Sequence, residues 1–274
     1  MATIAGKFGV HDARADALSG TPRAHAIDRW IFVFMAAWFI AITLVGFIPD
    51  SIMKVGMVQT GARPPFPPLM HLHAVLMGSF LLVLLAQTWL MATGRRGLHM
   101  QLGVFGMMLA AALVVVGFVL APTMYYQTWG ALQVAPPAGR EKLQELLSIK
   151  DNILLAQIRI GILFSLFLAI GLRARSRDAG FHKRMMILGT AVVFPAAIDR
   201  MEWLPTTLPG SLVATDLYVL LVVSPMFAWD VIRNRRVHEA YWVWLAIYVP
   251  ASVIVNMMWD TPFWHSTARH ILGV

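Results

Sequence analysis

HLHAVLMGSFLLVLLAQTWLMATGRRGLHMQLGVFGMMLAAALVVVGFVLAP, residues 71–122, is two apolar runs joined by a short basic turn, Gly94-Arg-Arg-Gly97. Each run is about 20 residues, which at ~1.5 Å per residue covers the ~30 Å hydrocarbon core of a bilayer. The stretch therefore reads as a transmembrane hairpin, with His71 and His73 opening its first helix and His99 opening its second.

The same pattern extends over the rest of the chain. Of 274 residues, 58% are hydrophobic and only 13% charged, against roughly 25% charged in a soluble domain. Hydropathy predicts seven spans, at 30–48, 71–92, 101–121, 153–172, 184–200, 211–229 and 241–259. The expected fold is all-α, a polytopic membrane helix bundle of seven spans forming one domain over residues 30–274. A tail, 1–29, precedes it, and its polar composition together with the length of the run from Trp30 argues against a cleaved signal peptide. Loops are expected at 49–70 and 122–152. The second contains AGREKLQELLSIKD, whose Leu143, Leu146 and Leu147 share one face and predict a short interfacial helix.

Charge sets the orientation. The tail and the turns near 95, 178 and 235 carry 14 of the 22 bases and 6 of the 14 acids, so the whole net charge of +8 lies on one side. By the positive-inside rule that side is cytoplasmic, which puts the N-terminus inside and the C-terminus outside, in a bacterial-type inner (plasma) membrane. Basic residues placed this way read as topology signals and lipid-headgroup contacts, and no nucleic-acid partner is expected. The lipid bilayer is the partner the composition does imply. With no cysteine, thiolate metal sites and iron–sulfur clusters are excluded, leaving His, Met, carboxylate or backbone groups as ligands.

The nine histidines fall into tiers. His99, His182 and His238 lie at the cytoplasmic starts of spans three, five and seven. His71 and His73 open span two on the outer side, His265 and His270 follow span seven there, and His11 and His25 belong to the tail. Gly97-Leu-His99 with Gly106, and Gly180-Phe-His182 with Gly189, repeat the pattern G-[LF]-H-x6-G. Seven residues are two helical turns, so each histidine shares a face with a glycine that admits a flat ring, a backbone or a packed neighbour. Pro195, Pro225 and Pro250 should kink spans five to seven and free the carbonyls of Ala191, Leu221 and Ala246.

The outer tier also gathers charge. Arg159 and Asp216 lie inside spans four and six, where an unpaired charge costs at least ~2.5 kcal/mol, and they are expected to pair. Asp199 and Glu202 share a face and, with His71, His73 and His265, compose a candidate site for iron, zinc or copper.

From His73-Ala-Val-Leu-Met-Gly through Gly94-Arg95-Arg96-Gly-Leu-His99, and again at Gly180-Phe-His182, spans two to five resemble the transmembrane haem-b cytochromes of the ascorbate and ferric-reductase type. The resemblance implies His99 and His182 as axial ligands of a cytoplasmic-side haem b, with Arg95, Arg96 or Arg184 near its propionates. It also implies an outer haem on His73, which would need His71, His265, His270 or a methionine as second ligand because span four has no histidine. The function expected is membrane electron transfer with a quinone or another membrane redox protein. The alternatives are a metal-dependent membrane enzyme acting at the outer face on a lipid-like substrate, and a non-catalytic subunit or assembly factor of a membrane complex.

Overall fold

The computed structural model describes Asp16, Leu18 and residues 25–274, with the side chains of 26 and 27 excepted. The expected tail, 1–29, thus lies mostly outside the described residues. The chain is a polytopic helical bundle: α1 Ala26–Gln59, α2 Pro68–Ala92, α3 Arg96–Val134, α4 Pro137–Ala174, α5 Ala179–Ala191, α6 Pro195–Ile198, α7 Val213–Asn234, α8 Glu239–Met258 and α9 Pro262–Leu272. Seven segments among the described residues are long and apolar enough to cross a membrane, with α5 and α6 together forming the fifth.

Helix ends depart from the hydropathy boundaries. α3 has 39 residues and α4 has 38, so each is almost 60 Å long at ~1.5 Å per residue, nearly twice the thickness of the hydrocarbon core. The expected outer loop at 122–152 is therefore the far ends of two continuous helices, joined at Ala135 and Pro136. The short interfacial helix is the first part of α4, and Pro122 lies inside α3. Likewise α1 runs through Pro49 to Gln59. The physical reason is tertiary. Toward these far ends Tyr125, Leu147, Leu154 and Leu155 bury against Trp259, Trp264, Ala268 and Leu272, so packing continues the helices where hydropathy falls. α9 is the element that covers them. Thr261 caps its start by accepting from the Trp264 amide, and Gly273 ends it at φ +70°.

Two of the three expected proline breaks are repaired locally. At Pro195 the chain leaves α5 through a tight turn, and the Phe194 amide donates to the freed Ala191 carbonyl at 3.2 Å. At Pro225 the Ser224 hydroxyl donates to the Leu221 carbonyl at 2.8 Å. α1 passes close to α6 at Gly46, where a Cβ would stand 2.2 Å from the Ala197 carbonyl oxygen, so no other residue fits without moving backbone.

In sequence α1, α2, α3, α4 and α5 touch one another and close back on α1, with α7 and α8 outside against α1, α4 and α5. Phe80 and Phe164 meet edge to face at 5.3 Å near the middle of this ring. The two ends of the ring hold the histidine tiers.

Candidate functional site: two histidine tiers in a five-helix ring

At the basic face, His99 and His182 occupy equivalent places in the α2–α3 and α4–α5 hairpins. Each is the fourth residue past the helix N-cap, its amide bonded back to Arg95 and Asp178 respectively. Each ring also reaches across its own hairpin. His99 Nδ1 donates to the Gln87 carbonyl on α2 at 3.3 Å, and His182 Nδ1 donates to the Gly171 carbonyl on α4 at 2.8 Å. A carbonyl only accepts, so the proton sits on Nδ1 in both rings and each neutral Nε2 presents a bare lone pair. The two rings are half-buried and within electrostatic reach of one another. Arg96 stands near His99, and Arg175 near His182.

The paired glycines serve the hairpins themselves. A Cβ at Gly106 would meet Val83 at 3.2 Å, and one at Gly189 would meet Phe167 at 2.9 Å. Neighbouring side chains thus fill the space that the spacing left open for a flat ring.

Arg184, expected near propionates, is committed elsewhere. It is fully buried, and its guanidinium donates to Asp230 through Nε at 2.5 Å and Nη2 at 2.9 Å. It also bonds Asp16 at 2.8 and 3.0 Å and the Gly180 carbonyl at 2.9 Å. All five of its donors are used. Asn234 joins Asp230 and Asp16, and the Lys183 ammonium donates to the Leu18 carbonyl. Leu18 is itself fully buried, so this part of the tail is built into the bundle. Arg95 and Arg96 remain exposed at the turn. Arg175 was missed in the sequence because it precedes its histidine's helix rather than opening it.

Away from the basic face, Arg159 and Asp216 make a buried bidentate pair at 2.8 and 2.9 Å. Tyr248, Ser252 and Asn256, at successive turns on one face of α8, donate to the same carboxylate. Asn256 also accepts the Leu212 amide at 2.9 Å, which ties α4, α7 and α8 together. The five donors gathered on the Asp216 carboxylate mark this as a structural joint, since breaking a buried pair costs about 3–5 kcal/mol.

The residues expected to share a metal site do not gather. Among the described residues no three His, Asp or Glu side chains are placed to hold a metal ion. Asp199 pairs with Arg200 at 3.0 Å, and Glu202 and His71 are exposed, His71 lying edge-on to Phe66. His265 bridges Asp151 and Asp260, at 3.0 and 3.1 Å. That bridge belongs to the latch of α9 on α4: Arg269 also approaches the fully buried Asp151, and the Trp264 indole donates to its carbonyl at 2.7 Å. The reason the metal set fails is that each member found a nearer partner of opposite charge or none at all.

His73 is different. It lines a partly open cavity of about 100 Å³, together with Met77, Gly117, Phe118, Gln157 and Gly161. Its Nδ1 is buried and has no hydrogen-bond partner, a deficit that costs about 1–3 kcal/mol. The tier does not supply a second axial ligand for an iron on His73. His265 is bound to carboxylates and His270 is exposed, while Met77 is one turn along the same helix and cannot approach from the opposite side. The outer tier therefore offers His73 no opposing ligand, while at the basic face His99 and His182 each present an Nε2 lone pair, the donor type that haem iron takes.

Compared with known proteins, the chain matches no family model, no curated protein and no solved structure.

Proposed function

We propose that this is a membrane electron-transfer protein holding one haem b near its basic face, with His99 and His182 as axial ligands. The observation that carries the reading is the matched pair of imidazoles, each tethered through Nδ1 to a backbone carbonyl of its own hairpin. When bound, the haem supplies one-electron chemistry; orientation and environment are the work of the chain. The carbonyl tethers fix the tautomer that leaves each Nε2 able to ligate, and they raise its basicity. Arg96 and Arg175, one near each histidine, provide cations for anionic propionates. Arg184 holds α5, α7 and residue 16 together beneath them. The setting is the bacterial-type inner membrane with the basic face toward the cytoplasm, and the exchange partner is a membrane quinone or another membrane redox protein.

The test is the visible spectrum of protein purified from haem-sufficient cells, with the haem counted per chain. Soret and alpha bands at one haem per chain are expected, lost in His99→Ala and in His182→Ala and retained in His265→Ala. A colourless wild type, or bands that survive both ligand substitutions, overturns the proposal.

A further inference from the structure

The cavity at His73 has its own chemistry, and nothing about it depends on the haem. It is walled by α1, α2, α3, α4, the turn after α5 and α6. Most of its wall is apolar. Thr43 contributes a hydroxyl that already donates to the Phe39 carbonyl on its own helix, so the polar groups on offer are His73 and the Gln157 amide. Two glycines shape it. A Cβ at Gly117 would stand 4.0 Å from the His73 ring, so this position is kept clear beside the histidine. Gly161 lets the Phe118 ring pack against α4, where a Cβ would come within 2.7 Å of it, and so sets Phe118 as a flat wall.

An occupant must satisfy a buried imidazole nitrogen, tolerate apolar walls and be small. A metal ion is disfavoured by the single histidine and the absence, among the described residues, of any three-ligand group. An anion is disfavoured because the guanidinium two residues along from Gln157, that of Arg159, is held by Asp216. An acyl chain fills the apolar space and leaves the nitrogen bare. Water satisfies the nitrogen and wets the apolar wall. A six-membered ring with oxygen at its edge meets the chemical demands; benzene occupies a cavity of about 150 Å³, half as large again as this one, so the ring enters with part of it in the open mouth and with the flexible thioether of Met77 displaced.

We propose that this cavity binds the single-ring headgroup of a lipid-phase quinone or quinol, with His73 hydrogen-bonded to one ring oxygen. Imidazole serves both forms, since its N–H donates to a quinone carbonyl and its bare nitrogen accepts from a quinol hydroxyl. Gln157 stands as the second polar contact.

The test is calorimetric titration of the purified full chain in detergent with a short-tailed benzoquinone. Saturable one-to-one binding is expected. His73→Leu should weaken it roughly tenfold or more, and His73→Gln, which keeps a donor and an acceptor, should retain most of it. Gly117→Ala adds a methyl in ordinary contact with the His73 ring, so the chain folds and affinity falls a few-fold; Gly117→Leu fills the space and removes binding. Unsaturable partitioning that is the same in wild type and Gly117→Leu overturns the proposal, as does binding indifferent to His73→Leu. Because the titration needs no haem, a colourless protein that binds quinone refutes the haem reading alone, and a haem protein that binds none refutes this one alone.

Discussion

The α2–α3 and α4–α5 hairpins carry the same histidine in the same place, with the same bond to a carbonyl across the turn, in very different surroundings. In its most apolar stretch the α5–α6 span is 67% buried, whereas α3 is 11% buried and faces outward. Two residues beyond His182 stands Arg184, with every donor engaged; two residues beyond His99 stands Gln101, exposed. What differs between the hairpins is architecture, because the ion network anchors α5 to α7 and to residue 16. What is shared is the tethered imidazole, and neither hairpin needs it for the packing that the other achieves by different means. That separation is why the histidines, rather than the buried ions, carry the functional reading.

The comparison breaks most visibly at the ions. Asp230→Ala leaves Arg184 fully buried with one carboxylate in place of two, and should cost about 3–5 kcal/mol, seen as a large fall in the melting temperature in detergent. Gln101→Ala, at the matching position of the other hairpin, should stay within about 0.5 kcal/mol. A smaller asymmetry is expected at the glycines. Gly189→Ala drives a methyl against the Phe167 Cβ, which cannot turn away, and should cost about 1–3 kcal/mol. Gly106→Ala meets only the Val83 methyl, at 3.2 Å, and its melting temperature should fall less.

The tethers themselves give a finer test. In haem-free protein, His182→Ala should lose about 1 kcal/mol of stability with its 2.8 Å bond, and His99→Ala less with its 3.3 Å bond. Equal and large losses would mean that the imidazoles are structural after all. The smallest effect is a pH dependence confined to the α4–α5 side. His238 accepts the Ala240 amide through Nδ1 and lies beside Phe181, the neighbour of His182. Burial, helped by the nearby Arg184 charge, pushes its pKa down to about 4 from 6.5. The unfolded chain therefore binds more protons between those values, and stability should be full above about pH 6.5 and fall as pH drops toward 4. His238→Asn should flatten the melting temperature over that window, and an unchanged slope would remove His238 as the cause.

Much of this was legible from the sequence, and the gaps have definite causes. The seven spans appear because apolar runs of the right length have few other uses, and the pairing of Arg159 with Asp216 follows from the cost of burying either alone. Helix ends at Gln59 and Val134 were not legible, since hydropathy reports what lipid touches and not where a helix stops. The amphipathic face at Leu143, Leu146 and Leu147 was a true signal read as a separate short helix; only the presence of α9 shows that it continues α4. Arg184 was misassigned because its partners are 46 and 168 residues away. The latch of His265 on Asp151 was hidden in the same way, since the two residues are 114 apart in the chain. The repeat G-[LF]-H-x6-G was visible, but the carbonyls of Gln87 and Gly171 that give it chemical sense were not, because every residue has a carbonyl.

By itself the sequence determined the class of the molecule, the number of its crossings and the face that is basic, because each depends on local composition measured against a bilayer. Tertiary structure alone decided which charges meet, which imidazoles are tethered and which is left facing a cavity. Those outcomes depend on groups far apart in the chain arriving within about 3 Å of one another, and no local pattern specifies such a meeting.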